Sequence, residues 1–228
     1  MKVWVVIPSW RWIGQVGSGA AAISGVAWLF GPAIRGFLQS SPILEADRLV
    51  AAALHGAASP SFTAFMVWVS WAHGTAGILA LTAIIVIATW RDLNALPSPF
   101  LLVVVPGGLL LNVALKHAVQ RPRPDWGYAL QALETYSFPS GHTAGATLFY
   151  GIVVLRLWSH LSSVGSRIAL LIAAISLVLL VATSRIVLGV HFMTDCIGAV
   201  IEAIVWLGIC LLGARGVPAF FTTAGDEP

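Results

Sequence analysis

The sequence predicts an all-α integral membrane protein: a six-transmembrane-helix bundle with a short interfacial helix between spans 1 and 2. Three observations carry that expectation. The 228 residues are 58% hydrophobic and only 9% charged, against about 25% charged in a soluble domain. Apolar runs recur at lengths near the ~20 residues a spanning helix needs. Ten tryptophans suit the two membrane interfaces. The net charge of +3 is small and dispersed, with no lysine-rich tail or arginine-rich run, which argues against nucleic acid as a partner.

Residues 1–13 read as a cytoplasmic start. Lys2 precedes an apolar run, Val3 to Ile7, but Pro8 and Arg11 interrupt it; the run is too short for a signal-peptide core. Trp4, Trp10 and Trp12 suit the headgroup level. The first span covers residues 14–34. Gly17, Ala21 and Gly25 recur there at four-residue spacing, a small-residue stripe that lets helices approach. Residues 40–58 mix Glu45, Asp47, Arg48 and His55 with aliphatics, and Leu44, Leu49, Ala52 and Ala53 fall at helical spacing. This reads as a helix lying on or dipping into the interface.

Residues 61–90 exceed one span. His73-Gly74 divides them into a partly embedded lead-in, 61–72, and a second crossing, 73–90. Arg91, Asp92, Pro97 and Pro99 mark a loop. The third span covers residues 100–118, with Pro106-Gly107-Gly108 expected to bend or loosen it. A polar loop, 119–138, follows. The fourth span starts at Ser140 or Gly141 and ends near Trp158, the fifth covers 168–188 until Gly189 breaks it, and the sixth covers 191–212. Residues 14–213 thus form one transmembrane domain and 214–228 a cytoplasmic tail. Cys196 and Cys210 fall on one helix about 21 Å apart at 1.5 Å per residue, beyond the ~7 Å a disulfide spans. They read as ordinary buried thiols.

With an inner N-terminus and six spans, Lys2, Arg11, Arg91, Arg156, Arg167 and Arg215 fall inside, against Arg35 and Arg48 outside when the three polar islands described next are set aside. That bias follows the positive-inside rule. The same topology puts three polar islands on the outer face, at four helix ends. The first holds Lys116, Arg123 and Pro124; the second is Pro139-Ser140-Gly141-His142; the third holds Ser184, Arg185, His191 and Asp195.

These residue types suit a phosphate. His191 and Asp195, four apart, share a helical face. The carboxylate can fix the imidazole's tautomer, free Nε2 as a nucleophile and stabilise the charge that develops; a plain polar pair at a helix start is the bland alternative. Ser140 reads as an N-cap, so the first free amides and the helix dipole form an anion site that Gly141 lets a ligand approach. His142 can face the same anion as general acid. Lys116, Arg123 and Arg185 are fixed cations near a membrane core, where such groups are expensive. Arginine forks match phosphate oxygens and lysine is a point charge; snorkelling is their bland alternative.

Order, spacing and sidedness together identify a resemblance. The chain resembles the type 2 phosphatidic acid phosphatase (PAP2) superfamily, whose signature K-x6-R-P, P-S-G-H and S-R-x5-H-x3-D is matched at Lys116, Arg123, Pro124, Pro139, Ser140, Gly141, His142, Ser184, Arg185, His191 and Asp195. The motifs cover residues 116–195, and the span pattern extends the resemblance over 14–213. The resemblance implies a lipid phosphatase of the inner membrane with its site toward the periplasm or exterior. His191 would form a phosphohistidine, Asp195 would orient it, and His142 would protonate the leaving oxygen. Lys116, Arg123, Ser140, Gly141 and Arg185 would hold the phosphoryl oxygens. No metal or other cofactor is implied, because fixed cations can stabilise the transition-state charge. The substrates implied are undecaprenyl diphosphate, phosphatidylglycerol phosphate and phosphatidic acid, with lipid phosphotransfer or lipid A dephosphorylation as relatives' chemistry.

Arg121, Ser184 and Glu202 are accessory candidates. Arg121 and His117 flank the first island, within reach of the rest of a headgroup. Glu202 lies seven residues past Asp195, deeper on the same stripe, and is expected either to act in function or to bond Ser176 or the backbone. His55 and His73 are outer-side candidates for substrate contact, with a core or interface role the better reading. Asp125, Tyr128 and Glu134 read as solvated loop residues. A transporter would instead place its polar groups at the midplane between repeats, and no repeat is visible.

Overall fold

The computed structural model describes residues 10–88, 98–125 and 135–215, and the regular structure among them is helical. The expectations for Lys2, Trp4, Arg91, Tyr128, Glu134 and residues 216–228 lie outside this set. The helices are α1 (Trp10–Leu38), α2 (Ser41–Gly56), α3 (Pro60–Ala72), α4 (Thr75–Ala88), α5 (Ser98–Val119), α6 (Gly141–Leu157), α7 (Val164–Val187) and α8 (Met193–Arg215). Four are long and apolar enough to cross a membrane: Arg11–Leu38, Phe100–Val119, Val164–Val187 and Met193–Gly213. A fifth crossing results if α2 and α3, bent by 117° at their junction, form one broken span. α4 is a shorter apolar helix.

Apolar side chains face outward in a manner no soluble fold tolerates. Ile172, Ile175 and Leu179 of α7 are each more than half exposed, as are Trp28 and Leu29 of α1. Lipid is the solvent that such a surface requires. The interior core joins α1, α4, α5, α6 and α8 through Trp12, Ile78, Phe100, Leu148, Ile152 and Trp206. Close van der Waals fit rather than escape from water holds such an interface in lipid.

Two local expectations are corrected. The stripe Gly17, Ala21, Gly25 is exposed, and Gly17 and Gly25 have open space around them. The close approaches of α1 fall on another face, at Gly19 against Ile209 and at Gly31 against the Ala118 carbonyl, where any side chain would collide. Trp12 does not face the headgroups; it is buried in the core, tilted against Phe100 at 5.8 Å, and donates its indole N–H to the Cys210 carbonyl. Its one polar atom finds a buried acceptor, which makes the core the better site. α5 runs through Pro106, as the span bounds require, and Gly107 and Gly108 make room for the Trp206 indole, whose N–H bonds the Val104 carbonyl.

Within α2 the inward face is Asp47 and Ala51, whereas Leu49 is 66% exposed. The aliphatic face read from the spacing is therefore turned outward. α3 and α4 break at His73-Gly74, as expected. α3 packs Met66 on Val187, Leu188 and Val190, then Val69 on Ala146 and Val181, and α4 continues with Ile78 beside Gly145. The segment thus passes from the α7–α8 turn down along α6. Cys196 and Cys210 are buried free thiols, as expected.

Candidate active site

Four helix ends build the site: the C-termini of α5 and α7 and the N-termini of α6 and α8. α5 closes with Gln120 in the left-handed region, φ 54°, a conformation that turns the chain so that Arg121 and Arg123 double back over the bundle. α7 closes in a Schellman turn. Gly189, φ 72°, donates to the Ile186 carbonyl and Val190 donates to the Arg185 carbonyl. Only glycine enters this backbone region without strain. The turn delivers His191, which lies two residues before α8 rather than on it. Its nearness to Asp195 comes from the turn, not from helical spacing.

His191 is 2% exposed. Its Nε2 accepts from Arg123 at 3.2 Å, and its Nδ1 lies 3.4 Å from Asp195 Oδ2. With Nε2 an acceptor, the ring proton belongs on Nδ1, toward the carboxylate. Burial, and after it the charges of Lys116, Arg123 and Arg185, hold the His191 pKa well below its ordinary value. The imidazole is therefore neutral, with its Nε2 lone pair turned toward Arg123. Burial likewise lowers the pKa of Arg123.

The cations are placed by neutral oxygens, both backbone carbonyls and hydroxyls. Lys116 donates to the carbonyls of Tyr136 (2.7 Å) and Ser137 (3.3 Å). Arg123 donates to the carbonyl and hydroxyl of Thr135 and to the Val190 carbonyl. Arg185, fully buried, donates to Ser70 Oγ of α3. Lys116, Arg123 and Arg185 lie within electrostatic reach of one another. Such like charges in a buried space favour an arriving anion.

Ser140 occupies the N-cap position of α6, but its hydroxyl accepts from Thr143 Oγ1 and caps no backbone amide. The first-turn N–H groups are thus not used by the cap. Gly141 is close-packed: a Cβ there would sit 3.2 Å from Asn112 Oδ1. His142 is half-buried and within electrostatic reach of Arg185, His191, His73 and Lys116. It opens onto a cavity of about 560 Å³ between α3 and α4, lined by Trp68, Trp71, Ser70 and Gly74. A second cavity, of about 260 Å³, adjoins Arg123 and is bordered by Gln39, Arg48 and Asp125.

The accessory candidates separate. Arg121 is fully buried and binds protein carboxylates on two elements, so it has no free fork for a headgroup. Ser184 donates to the Val181 carbonyl one turn back, a helix-internal bond. Glu202 pairs with Asn112 Nδ2 at 2.7 Å; Ser176, the partner expected for it, is exposed on α7. His117 is exposed and meets the Tyr136 ring edge-on. His73 bonds the Val69 carbonyl and the Tyr150 hydroxyl, and His55 contacts the Val187 carbonyl, so both serve packing. Sequence reasoning missed Asp47, Ser70, Asn112 and Thr194. Only Asp47 carried a signal, a carboxylate among aliphatics at a register that turns out to be buried.

A membrane helical bundle that gathers fixed cations around a neutral histidine backed by a carboxylate is a phosphoryl-handling membrane protein. The chain belongs to the PAP2 superfamily, whose family model matches residues 98–216. It is 28% identical over 163 residues to phosphatidylglycerophosphatase B of Bacillus subtilis (strain 168), covering 71% of this chain and 79% of that one. The fold matches the crystal structure of a transmembrane PAP2-type phosphatidylglycerolphosphate phosphatase from Bacillus subtilis, with a TM-score of 0.72 at 24% identity over 86% of this chain and 98% of that one. It also matches Aquifex aeolicus LpxE, with a TM-score of 0.53 at 20% identity over 73% and 93% of the two chains. The protein is a multi-pass membrane lipid phosphatase of the PAP2 kind.

Proposed function

We propose that this enzyme hydrolyses a lipid phosphomonoester or diphosphate through a phosphohistidine, with phosphatidylglycerol phosphate first among the candidates and phosphatidic acid and undecaprenyl diphosphate after it. The observation that carries the mechanism is the neutral, buried His191, its Nε2 at 3.2 Å from Arg123 and its Nδ1 backed by Asp195. In this reading His191 Nε2 attacks phosphorus, the bond from phosphorus to the lipid oxygen breaks, and His142 gives that oxygen its proton. Asp195 stabilises the imidazolium that results. Water then attacks the phosphohistidine, His142 takes the water's proton, and inorganic phosphate leaves. Lys116, Arg123, Arg185, Ser140 and the Gly141 amide hold the phosphoryl oxygens, so that cations stand where other phosphoryl-transfer enzymes use Mg²⁺. The incoming phosphate supplies the negative charge that lets His142 carry a proton among those cations.

The cavity at His142 supports a lipid leaving group, since its walls include Trp68 and Trp71, both more than half exposed to the outside of the bundle. The name of the 28% identical relative supports phosphatidylglycerol phosphate. Six crossings, with α3 as lead-in and α4 as the second, an inner N-terminus, residues 14–213 as one domain and a site toward the periplasm or exterior of the inner membrane complete the reading.

Purified protein given a panel of mono- and diphosphate lipids should release phosphate fastest from phosphatidylglycerol phosphate. Quenching in alkaline detergent after a lipid radiolabelled in its phosphate should trap a base-stable, acid-labile phosphoprotein that His191→Ala lacks. Full phosphate release by His191→Ala would sink the mechanism.

A further inference from the structure

Asp47 of α2 is fully buried, and both of its carboxylate oxygens bond the start of α8. Oδ1 accepts the Thr194 amide at 3.0 Å, and Oδ2 accepts the Thr194 hydroxyl at 2.6 Å. Thr194 is the second residue of α8, so its amide is one of the orphan donors a helix N-terminus must satisfy. An aspartate from another helix thus caps α8. Arg121 joins the same cluster. It donates to Asp47 Oδ2 at 2.8 Å, to Asp195 Oδ1 at 2.6 Å, to Thr194 Oγ1 at 2.8 Å and to the Leu38 carbonyl at 2.9 Å. Its guanidinium also lies 4.2 Å over the Phe192 ring. Asp195 completes the chain: Oδ2 accepts the Phe192 amide at 2.9 Å and faces His191 Nδ1.

We infer that Asp47 is a positioning residue for the nucleophile, acting on His191 through Arg121 and Asp195. Two physical effects carry it. First, the chain of bonds leaves the Asp195 carboxylate one orientation, with Oδ1 held by Arg121 and Oδ2 turned to the Phe192 amide and the imidazole. Second, Asp47 divides the Arg121 charge. One arginine between two carboxylates leaves a net negative charge behind His191. Without Asp47, the whole of that cation would act on Asp195 and blunt its support of the developing imidazolium. A buried carboxylate bound on both oxygens costs desolvation, and a plain brace between α2 and α8 would be met by apolar packing without it.

The inference rests on His191 and Asp195 having the roles proposed above. The test is phosphate release by full-length enzyme in detergent, using the panel lipid hydrolysed fastest, for Asp47→Asn, Asp195→Asn and the double variant. Asp47→Asn keeps the shape and removes the charge. It is expected to lower kcat about tenfold, in the range typical of residues behind a reacting group, with KM within about twofold of wild type. Because the effect passes through Asp195, Asp47→Asn should lower kcat no further in the Asp195→Asn background. Wild-type kcat in Asp47→Asn, a parallel loss of kcat and KM, or full additivity in the double variant would each overturn the inference. If Asp47→Asn does not fold, Arg121→Lys, which keeps the charge but cannot fork to two carboxylates, is read by the same criteria. His191→Ala separates the two readings: an inactive His191→Ala beside an unaffected Asp47→Asn removes only this inference, whereas an active His191→Ala removes the mechanism beneath it.

Discussion

His191 and Glu202 are both buried ionisable residues, yet their neighbours assign them opposite weight. Asp195 touches the imidazole and Arg121 at once, whereas Glu202 shares one bond with Asn112 and leaves Oε1 without a hydrogen-bond partner. Asp195→Asn should therefore lower kcat by about two orders of magnitude or more, as loss of a charged orienting group does elsewhere. Glu202→Gln should stay within about tenfold of wild type. Steady-state phosphate release measures both, and the reverse order would make Glu202 the more important acid. His191 also predicts a pH effect. Its folded pKa is held below the ordinary 6.5, chiefly by burial. As pH falls below about 6.5, the unfolded chain takes up a proton that the folded chain refuses, so stability declines. Unfolding midpoints in detergent should drop between about pH 7 and pH 5, and His191→Gln should flatten that slope.

At the scale of elements, the site depends on how helices end. Gly189 carries φ 72° and reverses the chain between α7 and α8. Gly189→Ala forces a side chain into the left-handed region at a cost of about 1–2 kcal/mol, and it moves His191 relative to Arg123. Both the thermal midpoint and kcat should fall, and a Gly189→Ala enzyme with wild-type kcat would show that the turn does not set the nucleophile. The element boundaries were legible in the sequence because Pro, Gly and Ser punctuate long apolar runs. The faces were less legible. In lipid an apolar residue is at home inside or outside, so the Gly17–Gly25 stripe and the Leu49 spacing could not say which side was packed. Asp47 carried the answer for α2, since a carboxylate that is fully buried must be turned toward partners.

For the molecule as a whole, the fixed cations predict how it meets anions. Vanadate, which imitates pentacoordinate phosphorus, should inhibit and raise the thermal midpoint, because a ligand that binds only the folded state stabilises it. EDTA should leave the rate unchanged; strong inhibition reversed by Mg²⁺ would overturn the reading in which Lys116, Arg123 and Arg185 do the work of a metal. The sequence by itself determined the all-helical membrane class, the helix ends and the candidate site residues, because composition and motif spacing are local properties. Tertiary structure decided which groups face the phosphate site and which stand behind it. Arg121 and Arg123 are two residues apart and look equivalent in the chain, yet one is buried between Asp47 and Asp195 while the other contacts His191. Only the packing of α2 against the start of α8 makes that distinction, because a buried arginine belongs to whichever carboxylates the fold brings within reach.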